Sequence, residues 1–483
     1  MNLKDFYQNP QIRKRLVEYM GGSTIEDVTC EFVSRCDVGM SNLDDKKPPS
    51  QIDDFLNRQL DVGRSLWDRE SLIIHLDIEY VNFDFELEPY LDMGRSFRLQ
   101  KPVIDAVEKL LQQFGIQPLR LLSGRGPHFV WKVNRHSEPF CRIATLRRLP
   151  RHLRNLYQHP VLPLDKRVPE DVAAAFTGLG CLLDYLIFEI KRMASPESEI
   201  PVELTANRVG PQQRGREIIS IDASEYGDPL YTRMIRMPFT IYHKHWIKMA
   251  ETADSGIDSL PPLFMIPLYD MKIDQAINVM RDQAKVEELA KHASVNIPDE
   301  TRAVDNLIEA YENSAVKSFH GWHYAQEADT PENWESIDDQ ALTLDIPPCV
   351  KRILEYPNDS LLKPAEIQVV VRTFLALGWH PRHIAGLIRS RYERDFGWEY
   401  MWFIYDADCR ADYYTRIFTG IFTTGQDDLV DFNCISLVEK GLCSEEDEPC
   451  GLEKYYDSLM NRRKYDRLAS RPFNRLFFSD EHL

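Results

Sequence analysis

Residues 71–80 read SLIIHLDIEY. Apolar residues dominate the first six positions, and two acids, Asp77 and Glu79, follow at alternate positions. In a strand, side chains at i and i+2 share a face and stand about 7 Å apart. Asp77 and Glu79 therefore point one way, while Leu76, Ile78 and Tyr80 point the other. The pattern predicts a buried strand that ends in carboxylates. Two such charges side by side repel each other, and a divalent cation removes the repulsion by taking both as oxygen ligands. Taken alone, the same pair also suits a strand leaving the core for solvent. Asp84, Glu86 and Glu88 repeat the spacing in NFDFELEP, with Phe83, Phe85 and Leu87 as the apolar face. They read as a solvated edge.

The chain has 483 residues, 43% of them hydrophobic, enough for two or three domains with sizeable cores. No run approaches the ~18 apolar residues of a membrane span, and the opening MNLKDFYQNPQIRKRL lacks an apolar signal core. The expectation is a cytoplasmic protein without a membrane partner. The formal net charge of −18 argues against coating nucleic acid with the whole surface, yet it permits a local basic groove. Arginines do cluster, in RIATLRRLPRHLRN (142–155) and NRRKYDRLASRPFNR (461–475). Each segment alone equally suits a solvated helix face.

Four regions follow from the patterning. Residues 1–70 read as a helical, charged region with no evident chemistry. Residues 71–250 alternate strand and helix irregularly, as in an α+β domain with a mixed sheet. There, QKPVIDAVEKLLQQFG reads as an amphipathic helix stopped by Gly115. Residues 251–340 form a polar helical linker. Residues 341–483, richer in aromatics and cysteines, make a separate, mostly α-helical domain.

Two further motifs lie in the second region. LLSGRGPHFVW gathers Ser123, Arg125 and His128 around a glycine turn that exposes backbone N–H groups, and all three side chains can donate to phosphate. IDASEYGDPLYTRMIRMPFTIYHKH places Asp222 after an apolar strand and then Arg233, Arg236, His243, Lys244 and His245. Acids for metals followed by cations for phosphate oxygens suit a site for a metal-bound triphosphate. A hairpin turn and an edge strand with surface arginines would produce either motif without that function.

The order of these motifs resembles the archaeo-eukaryotic primase and primase-polymerase superfamily over residues 71–250. The resemblance implies a catalytic domain with mixed sheets, one half of it RRM-like. It implies that Asp77, Glu79 and Asp222 hold two Mg²⁺ or Mn²⁺ ions. It implies that Ser123, Arg125 and His128 bind the nucleotide phosphates, and that Arg233, Arg236 and Lys244 line the nucleotide or template site. Where family members often carry glycine-serine after the proline of the third motif, this chain has Phe239 and Thr240 after Pro238.

The chain has nine cysteines, and Cys349, Cys409, Cys434, Cys443 and Cys450 fall in the last third. In a cytosolic protein such clustering points to metal more than to disulfides. The spacing lacks the CxxC pair of a zinc ribbon, and wide irregular spacing suits ligands gathered from several loops. A proline-proline-cysteine opening a helical segment, with cysteines far downstream, resembles the iron–sulfur C-terminal domain of the primase large subunit. That resemblance implies Cys349, Cys434, Cys443 and Cys450 as ligands of a [4Fe–4S] cluster, with zinc as the alternative. Cys409 is a fifth candidate left outside this set. Arg410, Tyr413, Tyr414 and Arg416 suit stacking and phosphate contacts, or equally helix packing.

The combined reading is a DNA primase or primase-polymerase. Its partners would be a single-stranded DNA template, a primer, nucleoside triphosphates and, in such a pathway, a replicative helicase. Alternatives are a gap-filling repair polymerase without priming, a catalytically inactive single-strand-binding replication or defence factor, and a metal-dependent nuclease.

Overall fold

The computed structural model describes residues 3–36, 45–160, 164–209, 216–252, 257, 259–358, 361, 363–394, 406–443 and 450–468. The fold is α+β. Its strands are β1 (Val33–Arg35), β2 (Val62–Ser65), β3 (Ser71–Asn82), β4 (Leu119–Leu122), β5 (Pro127–Asn134), β6 (Val202–Glu203), β7 (Glu217–Asp222), β8 (Met234–Arg236) and β9 (Ile266–Pro267). A six-stranded mixed sheet has the order β6-β7-β3-β5-β4-β9, with only the β6–β7 pairing parallel. A smaller antiparallel sheet has the order β1-β2-β8.

Two expectations change here. Residues 1–70 are not only helical, because β1 pairs with β2 and β2 pairs with β8, which joins this segment to residue 236. And β3 does not end at its acids. It runs to Asn82, pairing with β5 through Asp77 and with β7 from Asp77 onward. A strand with a fresh partner on each side keeps its backbone bonded past the carboxylates, so Asp77 and Glu79 stand mid-strand in the centre of the sheet. The chain turns after Asn82, whose side chain accepts from the backbone of Asp84 and Phe85. Asp84 and Glu86 are exposed as expected, while Glu88 is half-buried against Arg95.

The Met93–Phe114 helix starts earlier than Pro102 suggests, because Asp92 caps it by accepting from Arg95 N. Gly115, at φ +80°, closes it. It packs on β3, and so does the long Glu170–Ala194 helix. The latter is apolar and long enough to cross a membrane, but 83% of its most apolar window is buried inside this fold. The Ala407–Thr423 helix is buried along nearly its whole length. It lies against the Pro364–Ala376 and Pro381–Glu393 helices on one side and the Ser224–Gly227 turn on the other. A side chain at Gly227 would meet the Tyr413 ring at 2.7–2.9 Å. One hydrophobic core thus runs from the sheet into the C-terminal helices.

Candidate active site

Register builds the site. Asp77 on β3 lies directly opposite His128 on β5 and opposite Asp222 on β7, and residues so paired share a face. His128, Asp77 and Asp222 therefore form one row across three strands. Glu79 occupies the next row, opposite Ser220, and His75 the row before. Leu76, Ile78 and Tyr80 face the other way and are fully buried. The alternation read from sequence thus fixes which side the acids take.

The SGRG turn is held against β3. Tyr80 N donates to Arg125 O at 3.0 Å, and a side chain at Gly126 would come within 1.9 Å of Ile78 O. Only glycine permits that approach. Ser123 is used inside the turn: its hydroxyl donates to Gly126 O at 3.0 Å and accepts from Arg125 N, and its side chain is buried. Arg125 reaches Glu79 at 3.2 Å, and Lys244 reaches the other oxygen of Glu79 at 3.7 Å. Arg236 makes two hydrogen bonds from Nε to the buried carboxylate of Asp61, at 2.9 and 3.1 Å, and lies over the Tyr242 ring. Its charge still acts on Glu79 and His128. Arg233 turns the other way. It is buried, ion-paired with Asp228, and donates to Ser224 O. The expectation that it lines the nucleotide site gives way to a structural role, because Arg233, just before β8, and Arg236, at its end, are three residues apart along extended backbone and so point to opposite sides.

Electrostatics divide the two central acids. Burial, then the neighbouring Glu79 and Asp222 carboxylates, push the Asp77 carboxyl well above its usual range. Burial would raise Glu79 too, but Arg125, Lys244 and Arg236 outweigh it and hold Glu79 below the usual range. Asp77 Oδ1 is buried without a hydrogen-bond partner. Crowded carboxylates with an orphaned oxygen are what a cation would relieve. Asp222 is anchored by accepting from Ser224 N at 2.8 Å.

Sequence reading missed His75, Glu225 and Asp61. Glu225 accepts from His75 Nδ1 at 2.8 Å, and His75 Nε2 stands 2.9 Å from His128 Nδ1. Burial works against a charged His75, but Glu225 overrides it and raises its pKa. An imidazolium at His75 donates to His128 Nδ1, which leaves the proton of His128 on Nε2. Burial, then the charges of His75, Arg236 and Lys244, keep His128 itself neutral. Its Nε2 is buried and has no partner. His75 was findable, since it lies two residues before Asp77 on the same face. Glu225 and Asp61 carried no such signal.

At Phe239 the backbone is left-handed, with φ +61°, where glycine would sit without cost. Phe239 is fully buried and its N–H donates to Met265 O at 2.7 Å. The Thr240 hydroxyl donates to Met237 O. Burial of the Phe239 side chain offsets the strain of that backbone.

Cys349 is buried at the start of the Pro348–Glu355 helix, and Cys434 opens the Cys434–Glu439 helix. Cys434 Sγ stands 3.5 Å from Cys450 Sγ with no disulfide between them. Burial, then the proximity of Cys443, Cys450 and Cys434, pushes the Cys349 thiol up to about 12. The fold thus brings Cys434 against Cys450 and sets Cys349 within electrostatic reach of Cys443, Cys450 and Cys434. By contrast, Arg410, Tyr413, Tyr414 and Arg416 are buried within the Ala407–Thr423 helix. Of the two roles open to them, packing is the one the fold uses. Three of the five arginines of 142–155 are ion-paired: Arg142 with Asp305 and Glu312, Arg147 with Asp412, Arg154 with Glu170. Residues 469–475 of the second basic run lie outside the described residues.

Comparison of the chain with family models, curated proteins and solved structures gave no match.

Proposed function

We propose that the chain is a template-directed nucleotidyltransferase of the primase-polymerase kind, which starts or extends a primer on single-stranded DNA from nucleoside triphosphates. The observation that carries this reading is the row His128–Asp77–Asp222 across β5, β3 and β7, with Glu79 beside it under Arg125 and Lys244. Asp77, Glu79 and Asp222 would hold two Mg²⁺ or Mn²⁺ ions, whose chemistry is to activate a 3′-hydroxyl and to neutralise the departing pyrophosphate. Arg125 and Lys244 release Glu79 and turn to phosphate oxygens. His128 donates its Nε2 proton to the same triphosphate, and Glu225 and His75 keep that proton on Nε2. Tyr80 N and the tight contact at Gly126 hold the turn so that Arg125 enters from a fixed direction.

Cys349, Cys434, Cys443 and Cys450 fit a [4Fe–4S] cluster, with zinc as the alternative, and that group would supply folding energy to the loops between the C-terminal helices.

The deciding assay supplies labelled nucleotides, single-stranded template and Mn²⁺, with and without a primer. Products in both arms are expected of a primase-polymerase. Products only with primer would make it a gap-filling enzyme. Shortened template without nucleotide addition would replace the reading with a nuclease, and no product in either arm would leave a binding factor.

A further inference from the structure

We propose that His152, Asp406 and Cys409 form a zinc site that fastens the C-terminal helices to the catalytic half, a site distinct from the carboxylate row and from the four grouped cysteines. It does not depend on the polymerase reading. Among the described residues, these three alone bring ligating atoms of three side chains within 4.8 Å of one another. His152 Nε2 lies 3.7 Å from Asp406 Oδ1 and 3.9 Å from Cys409 Sγ. Around a tetrahedral zinc ion such pairs stand roughly 3.4–3.6 Å apart, so the two pairs made by His152 need to close by only a few tenths of an ångström, while the Asp406–Cys409 pair lies within 4.8 Å.

The surroundings of the imidazole supply a second observation. His152 Nδ1 is 2.8 Å from Asp408 Oδ2, and that same oxygen accepts from Arg389 Nη1 at 2.9 Å. A carboxylate on Nδ1 orients the ring and would keep the proton on Nδ1 once a metal takes Nε2, the arrangement found behind metal-binding histidines. Without metal, Asp406 and Asp408 outweigh burial and raise the His152 pKa to about 9, so zinc would displace the Nε2 proton. Nε2 is the nitrogen that faces Asp406 and Cys409. Asp406 is itself held, since its Oδ1 accepts from Cys409 N at 2.8 Å at the start of the Ala407–Thr423 helix. One nitrogen, one sulfur and one carboxylate oxygen suit zinc better than the hard cations of the carboxylate row. Three protein ligands leave a fourth position for water.

The ligands come from segments over two hundred and fifty residues apart. His152 belongs to the Arg151–Gln158 helix, and Asp406 and Cys409 begin the helix that packs against the turn following Asp222. Zinc here would pin that helix where Gly227 receives the Tyr413 ring.

The test uses the full chain, purified without oxygen, dialysed against Zn²⁺ and freed of excess. Zinc and iron are then counted per chain in wild type, His152→Ala and Cys409→Ser. We expect each variant to hold one zinc equivalent fewer than wild type, with iron unchanged. Equal zinc in wild type and both variants overturns the site. If His152→Ala also loses iron, and with it the fold, Asp408→Asn decides. It keeps all three ligands, and a competing chromophoric chelator should show zinc held roughly ten- to a hundredfold more weakly. Unchanged zinc affinity in Asp408→Asn, together with that loss of fold, overturns the proposal.

Discussion

Two buried clusters of charge differ in how completely their charges are matched. Around the Ala407–Thr423 helix, Arg416 pairs with Asp184 at 2.6 Å and with Asp412 at 3.1 Å, and His320 joins Asp184 at 3.0 Å. Arg147, Arg382 and His323 also pair with Asp412. Both aspartates sit below the usual carboxylate range, because burial is outweighed, for Asp184 chiefly by Arg416 and for Asp412 by Arg147 and Arg382. On β3 the reverse holds: burial, then the neighbouring Glu79 and Asp222 carboxylates, push Asp77 up. A matched cluster holds helices together. An unmatched one is built for something that arrives later. Residue type did not separate them, since Arg416 and Arg125 are both arginines beside acids and aromatics.

The largest contrast should come from Asp77→Asn. Nucleotide addition should fall to background, yet the metal-free fold should be no weaker than wild type. The sign follows from the raised pKa. A carboxyl raised in the folded state contributes stability below its unfolded pKa and loses it as pH rises through the folded value. In chelator, wild type should therefore lose stability as pH climbs out of the ordinary carboxylate range, while Asp77→Asn should not. Near-wild-type activity in the variant would detach the function from this row.

Arg416→Met should do the opposite. It leaves buried Asp184 and Asp412 short of a partner, at a cost of roughly 3–5 kcal/mol in denaturant unfolding. A loss below about 1 kcal/mol would mean that the cluster is not the tie it is taken to be. Cys434→Ser should remove the brown colour and about four irons per chain, and expose residues 341–483 to protease. Zinc without iron in wild type would keep a metal-held domain and reject the cluster.

Arg125→Ala should weaken nucleotide binding by about ten- to a hundredfold, the value of a charge-assisted hydrogen bond, and template binding much less. Equal losses for both would assign Arg125 to the template. The smallest effect belongs to Asp84→Ala. Asp84 pairs with Arg216 on the surface, and its loss should cost less than about 1 kcal/mol and leave activity alone. A large effect would reverse the choice between the two acidic pairs.

Strand alternation around Asp77 and the glycines at 124 and 126 were legible because they are local: period two fixes a face, and a turn demands its residue. The sequence by itself determined that Asp77 and Glu79 look the same way, that the SGRG turn is tight, and that the late cysteines are unusual for their surroundings. Only the tertiary structure decided which charges are matched. It placed Asp222 and His128 on either side of Asp77 through pairings 145 and 51 residues away in the chain. It sent Arg233 to Asp228 but left Arg236 within reach of Glu79. It buried Arg410, Tyr413, Tyr414 and Arg416, and it brought His152 to Cys409. The reason is that a side chain's type sets what it can bond, whereas desolvation and partner distance set whether that capacity is already spent, and both depend on what distant segments are packed against it.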